Sequence, residues 1–183
     1  MNILESGSDE QQRTPLPQIA RGEILFAYGL TEPDVGADLA SVKTTAERRG
    51  DTIVINGAKR FLTGAKIADY IYLLVRSDRS APRYKNLSLI LVPPDRPGIT
   101  MTQIGTLGLK GFPSYDVTFE NVEVPATNIV GGEAGWNNGW PMLAGPTLDV
   151  EKLEVAAIGI GIADAAIEDA WDYSQDRLQF GKP

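Results

Sequence analysis

The 183-residue sequence predicts a mainly β protein, an antiparallel β-barrel domain followed by a long α-helix that belongs to an incomplete helical bundle. Two observations carry that reading. Short runs rich in Val, Ile, Tyr and Thr recur between Ile24 and Phe119, separated by Pro, Gly and Asn turn material and by no helical stretch; that is the pattern of a barrel or sandwich, not of a doubly wound α/β fold. From Thr147 to about Arg177 there is no proline, and Leu153, Ala156, Ala157, Ile160, Ala163, Ile167 and Trp171 fall at helical spacing.

The elements follow in order. Residues 8–22 are polar, and Pro15 and Pro17 lie close together, which suits a short helical turn and then an extended connection. The apolar run 24–28 reads as the first strand. The stretch LTEPDVGADL at 30–39 cannot continue it: Pro33 and Gly36 break the strand, and Glu32, Asp34 and Asp38 crowd three carboxylates into it. Taken alone, this is a solvated turn. Residues 51–55 and 59–63 flank Asn56-Gly57, the dipeptide that best tolerates the positive φ angles of a type I′ turn, so a hairpin is expected there. Further strands are expected at 70–76, 87–92 and 115–119, divided by Ser80-Ala81-Pro82, Pro93-Pro94 and Asp95-Arg96-Pro97-Gly98. After the Gly- and Asn-rich segment 131–140 the long helix begins, extending ~45 Å at the usual rise per residue. Its middle, residues 155–163, is apolar on every face and so demands burial on every side. Gly159 and Gly161 each lower helix propensity by about 1 kcal/mol relative to Ala, which fits close approach of other backbones. The partners this helix expects are not among the 183 residues. The alternation Ile158-Gly159-Ile160-Gly161-Ile162 also admits a strand.

Composition narrows the chemistry. With 43% hydrophobic and 22% charged residues the chain reads as globular, and no apolar run approaches a bilayer-spanning length. A net charge of -7, from 17 basic and 24 acidic residues, argues against nucleic-acid binding. The sequence has no cysteine and no histidine, which removes disulfides, thiolates, Ser-His relays and nearly all zinc chemistry. Carboxylates, hydroxyls and a bound cofactor remain. The first fifteen residues lack a basic and an apolar region of the secretory kind, so a cytoplasmic location is expected.

Five ordered blocks carry a resemblance: LTEPDVGADLASVKTTAERRGDTIVINGAKRFLTGA at 30–65, LGLKG at 107–111, FENVEVPATNIVGG at 119–132, LDVEKLEVAAIGIGIADAAIE at 148–168 and RLQFGKP at 177–183. Together the sequence resembles the flavin-dependent acyl-CoA dehydrogenases nearly end to end. The resemblance implies the end of an N-terminal helical domain and its connection over 1–24, a middle β-barrel domain over 25–135 and the beginning of a C-terminal helical domain over 136–183. The chain is thus expected to be a fragment of a larger enzyme, turning over weakly or not at all by itself.

The resemblance further implies FAD as cofactor, oxidation of an acyl-CoA thioester to its 2,3-enoyl form, an electron-transferring flavoprotein as redox partner, and a homo-oligomer. Tyr28, Leu30 and Thr31 would border the isoalloxazine, and the backbone of Gly36 and Ala37 would approach phosphate through an anion-binding nest. Ala37 also stands on the substrate side, where the family usually has Ser. Phe61, Leu62 and Thr63 match a second flavin segment; Phe61 replaces the commoner Trp, keeping a stacking face without the indole N–H. By itself Phe61 reads as a core aromatic. Arg177, Gln179 and Phe180 match a motif that reaches a neighbouring subunit's FAD, Arg177 offering a rigid fork to pyrophosphate; Arg177 also suits any helix C-terminus.

Most of the family takes its base from late in the C-terminal domain. A minority places it in a motif similar to Leu148-Asp149-Val150-Glu151-Lys152, which makes Glu151 the candidate base and Asp149 and Lys152 the candidate substrate-side residues. Glu151 reads equally as a first-turn Glu stabilised by the helix dipole. Lys152 stands where the family usually has Arg. A monooxygenase or oxidase on the same scaffold, a non-catalytic module that associates through its apolar helix, and a simple β-barrel binding protein are the other readings.

Overall fold

The structure, a computed structural model, describes residues 2–182, with the backbone alone described for Asn2, Pro146 and Thr147. Pro183, last residue of the RLQFGKP stretch, lies outside the described residues. The chain forms two compact units, Met1–Leu143 and Ala144–Pro183.

Three short helices open the first unit: α1 (Asn2–Ser6), α2 (Asp9–Arg13) and α3 (Pro15–Ala20). The single turn and extended link expected here are replaced by helix, because Pro15 sits in the first turn of α3, where a missing N–H breaks no bond. A capping box between Ser8 and Gln11 starts α2. Gln11 then does more than cap. Its buried amide donates to the carbonyls of Thr127 (3.1 Å) and Ile129 (2.8 Å) and accepts from the Gly131 amide (3.1 Å), fixing the polar opening segment to the far end of the unit.

Seven strands follow: β1 (Phe26–Gly29), β2 (Thr45–Arg49), β3 (Thr52–Thr63), β4 (Tyr70–Arg76), β5 (Leu87–Val92), β6 (Ile99–Gln103) and β7 (Ser114–Pro125). They form one curled sheet. β5 lines one edge of β4 along residues 71–76, and the opposite edge is shared between β1, against residues 70–73, and β2, at Arg76. β3, β7 and β6 continue beyond β2 in antiparallel pairs.

Both β1 and β2 run parallel to β4, so the sheet is mixed where the sequence implies an antiparallel one. The cause is topological: a loop, β2 and β3 all intervene between β1 and β4, so no tight turn sets their relative direction. Among the described residues β5 and β6 do not pair with each other, and the sheet curls only into a half-barrel.

Asn56-Gly57 is not a hairpin turn. β3 runs straight through it, paired with β7 from Thr52↔Pro125 to Thr63↔Ser114, and the dipeptide makes a bulge where the register shifts between Ile55 and Gly57. The hairpin lies one strand earlier, where Arg49 faces Thr52 across the two-residue loop Gly50-Asp51 and Gly50 takes φ 62, the first-position glycine of a type II′ turn. Gly57 serves another purpose. At φ 148 it lets Thr44 cross so closely that a Cβ would lie 2.6 Å from the Thr44 Cα.

The core collects inward residues of every long strand, among them Ile53, Leu62, Leu73, Ile90, Val117 and Phe119. All six residues of β5 are buried, as expected for a strand apolar on both faces. Each fully buried Leu or Ile contributes roughly 1.5–3 kcal/mol.

α4 (Gly139–Ala144) leads to α5 (Pro146–Asp176), one uninterrupted helix through Gly159 and Gly161, so the strand alternative at 158–162 does not form. Ile158, Ile160 and Ile162 are all more than 60% exposed. No helix among the described residues is long and apolar enough to cross a membrane.

Candidate active site

Because β1 and β2 lie on the same edge of β4, the chain between them must leave the sheet at Gly29 and return at Thr45. That excursion is the LTEPDVGADL stretch and its continuation to Thr44. Its outgoing limb lies against β3: the Arg60 amide donates to Thr31 O (2.8 Å), and the Lys59 ammonium donates to Leu30 O (2.9 Å). Leu30 and Thr31 are thereby brought beside the 59–63 segment. Tyr28, exposed at its ring, packs edge-on to Tyr72 (5.6 Å) and lines an apolar cleft of about 330 Å³ between β1 and the opening helices.

At the tip, Glu32 and Val35 exchange backbone hydrogen bonds, while Gly36 and Ala37 project into open space. Gly36 is outside the left-handed region, so the alternating backbone of a nest is absent there. A Cβ on Gly36 would meet nothing within 4 Å. Nothing in the chain itself demands a glycine at this position. Asp34 pairs with Lys43 (2.8 Å), and Asp38 with Arg83, so two of the three loop carboxylates are turned onto neighbouring cations.

The third is swallowed. Glu32 is 4% and Lys59 0% exposed, and they meet at 3.0 Å. Glu32 Oε2 also accepts from the Lys43 amide (2.6 Å) and Oε1 from the Thr44 amide (2.9 Å). Burial pushes the Glu32 carboxyl up, but the Lys59 charge and the Lys43 and Thr44 donors outweigh it and hold the group below its ordinary value. Burial pulls Lys59 down to about 8, against the opposing influence of Glu32.

Among the described residues of the unit, Phe61 is one of two aromatic residues on left-handed backbone, the other being Tyr84. Between Lys59 and Leu62 the β3–β7 register shifts, and Phe61 takes φ 59, a left-handed conformation that is costly for an aromatic residue. The kink turns its ring outward: Phe61 is 56% exposed while Leu62 is fully buried. The Arg60 guanidinium lies over the ring at 5.2 Å. Thr63 shares a 2.8 Å hydrogen bond with the Ser114 hydroxyl on β7, leaving its second bonding direction open. The core-aromatic reading of Phe61 is excluded, and a flat apolar face is presented beside the Leu30-Thr31 backbone.

The second unit carries the remaining candidates. Asp149 and Lys152 form an exposed pair (3.0 Å), so the cation beside Glu151 is occupied elsewhere. Glu151 is half-buried between Leu148 and Val155 on one helix face; burial, with the Glu154 charge, raises its carboxyl above the ordinary value. Arg177 ends α5 and is exposed. Beyond it Gln179 and Lys182 exchange backbone hydrogen bonds around Phe180 (φ 53) and Gly181 (φ 78), a tight turn that leaves the Phe180 ring wholly exposed.

Residues 27–122 match the acyl-CoA dehydrogenase middle domain, and residues 137–183 match the acyl-CoA dehydrogenase C-terminal domain. The chain belongs to the acyl-CoA dehydrogenase family. It is similar to the 3-(aryl)acrylate reductase of Clostridium sporogenes (37% identity over 182 residues, covering 99% of this chain and 47% of that protein). Among solved structures, an acyl-CoA dehydrogenase from Geobacillus kaustophilus superposes with TM-score 0.92 at 33% identity, over 99% of this chain and 47% of that one. A glutaryl-coenzyme A dehydrogenase in complex with glutaryl-CoA superposes with TM-score 0.91 at 34% identity, over 100% and 45%. The chain spans less than half the length of these relatives.

Within this acyl-CoA dehydrogenase scaffold, the first unit brings Leu30 and Thr31 beside the bulge that carries Phe61, Leu62 and Thr63, sets Gly36 and Ala37 at the loop tip, and leaves Tyr28 in the cleft against the opening helices. Leu62 is buried, so only its backbone faces that surface. Sequence reasoning missed Lys59, Arg60 and Ser114. A lysine in the middle of a long apolar strand was the available signal for Lys59, masked by the turn expected at Asn56-Gly57.

Proposed function

We propose that this chain supplies the flavin-facing β-unit and the proton-accepting helix of an FAD-dependent acyl-CoA dehydrogenase. The observation that carries the reading is Phe61: an aromatic residue held exposed on left-handed backbone, at a bulge, beside a loop whose glycine leaves room for an outside group. Strain of this kind persists where a site needs the side chain more than the fold does. FAD, held by the Phe61 bulge and the Leu30-Thr31 backbone, would supply the acceptor for a hydride from the β-carbon of the acyl thioester.

The chain's own residues do the rest. Phe61 offers a ring face, Tyr28, Leu30, Thr31 and the Leu62 backbone border it, and the open bonding direction of Thr63 holds the ring edge. The uncovered loop at Gly36 and Ala37 admits phosphate. Glu151 takes the α-proton on a carboxylate oxygen, and its raised pKa suits a base for a weakly acidic carbon. Asp149 and Lys152 stand on the substrate side, with Lys152 lacking the two-point grip of an Arg.

Arg177, Gln179 and Phe180 are assigned to the cofactor of a second subunit, in a homo-oligomer whose helical bundle includes α5. An electron-transferring flavoprotein receives the electrons. The domain division is 1–24, 25–135 and 136–183, with the first and last parts belonging to helical domains. That the Geobacillus and glutaryl-CoA relatives share the backbone fold over nearly the whole chain supports the reading.

A titration of FAD into the purified chain, followed by flavin fluorescence and visible circular dichroism, tests it. Phe61→Gly is the informative variant: it removes the ring and relieves left-handed strain of about 1 kcal/mol. Its thermal midpoint is expected to hold or rise while FAD affinity falls at least tenfold. An unchanged affinity, or a lowered midpoint, refutes the assignment of Phe61 to the cofactor.

A further inference from the structure

The strongest unassigned feature is the buried cluster of Glu32, Lys59 and the backbone around them. A buried ion pair is a poor device for stability, since well-packed apolar residues of similar volume do as well or better. Its value must lie in what it holds. Four bonds converge on it: the Lys59 ammonium on Leu30 O and Glu32 Oε1, and the Lys43 and Thr44 amides on Glu32. The protein groups it satisfies lie where β1 has stopped and β2 has not begun, so the sheet ladder cannot serve them.

We propose that Glu32 and Lys59 are positioning residues, a clasp that closes the base of the 32–44 loop and sets the Leu30-Thr31 backbone against the Phe61 bulge. Glu32 ties the start of the loop to its end, twelve residues on, through two amides of one limb. Lys59 ties that carboxylate and the Leu30 carbonyl to the strand that carries Phe61. Neither side chain reaches the surface, so neither touches a ligand; both act through the main chain they hold. The consequence for cofactor binding rests on the flavin reading above, whereas the clasp itself does not.

Two variants test it. In Glu32→Gln one acceptor oxygen becomes a donor, and at least one of the Lys43 and Thr44 amides loses its partner. In Glu32→Gln/Lys59→Met no charge remains buried, so the fold keeps its electrostatic balance while both Lys59 bonds and at least one of the two amide bonds are lost. Native-state amide exchange by NMR reads Lys43 and Thr44 directly. Their exchange is expected to quicken about tenfold or more in both variants, with the β4–β5 amides at wild-type rates.

Flavin fluorescence and visible circular dichroism on the same samples are expected to show at least tenfold weaker FAD binding and a diminished flavin band. Unchanged exchange at Lys43 and Thr44, or exchange quickened equally throughout the sheet, overturns the clasp. Quickened local exchange with unaltered FAD binding overturns its positioning role. If the wild-type chain shows no flavin signal at all, the flavin reading fails, and the exchange rates alone decide the clasp.

Discussion

Replacing Gly57 by Ala tests the crossing of β3 under the returning limb of the loop. A Cβ there would lie 2.6 Å from both the Cα and the Oγ1 of Thr44, and 2.8 Å from its Cβ. The backbone at φ 148 is in addition a conformation that L side chains rarely adopt. The conformational strain is worth about 1–3 kcal/mol. Displacing Thr44, whose hydroxyl donates to Ala58 O and whose carbonyl accepts from the Arg76 amide, adds about 1–3 kcal/mol. A loss near the middle of that range, about 4 kcal/mol, lowers the urea midpoint by about 2 M at an m-value of about 2 kcal/mol/M. Tryptophan fluorescence follows the transition, and Gly36→Ala is the control, because its Cβ meets nothing. The control is expected to stabilise by about 0.4–1 kcal/mol through the unfolded chain, yet to weaken FAD binding. A midpoint for Gly57→Ala within about 0.3 M of wild type would refute the argument from the Thr44 crossing, taking that figure as the precision of such midpoints.

Three further outcomes are expected. Lys59 is pulled down to about 8 in the folded chain from 10.5, so the unfolded chain holds this proton to higher pH. The cost of its charge is fully present below pH 8 and is relieved as pH rises toward 10.5. Urea midpoints of wild type relative to Glu32→Gln/Lys59→Met should therefore rise between pH 7 and 9.5, and a flat difference contradicts the assignment. Carboxyl-detected NMR should show Glu151 titrating above the ordinary 4.5 of a Glu, a signal that Glu151→Gln removes; a titration at or below 4.5 contradicts the burial argument. Ile160→Glu on α5 should shift sedimentation toward the monomer at equal concentration, and an unchanged distribution removes that face from the interface.

Legibility in the sequence followed physical context. β4 and β5 are readable to the residue because apolar runs on both faces leave no other burial pattern, and α5 is readable because its apolar spacing runs without proline. β2, with the sequence TAERR, and β6, ITMTQ, escaped because an edge-facing or half-exposed strand need not be apolar. Asn56-Gly57 misled because the same tolerance of unusual φ serves a bulge as well as a turn, and only the crossing of Thr44 decides between them. Phe61 could be recognised only with its neighbouring blocks; its own residue type fits a core. Glu32 and Lys59 were hidden for a simpler reason, since a charge in sequence reads as solvated until its partner is found 27 positions away.

The two strands that share one edge of β4 have an evolutionary and engineering consequence. Because both limbs of the 30–44 excursion are tied to the sheet and only Gly36, Ala37 and Asp38 at its tip stand exposed three in a row, the composition of that tip can drift without re-registering a single strand. Diversification of what the molecule recognises can therefore proceed on a scaffold whose folding is left undisturbed.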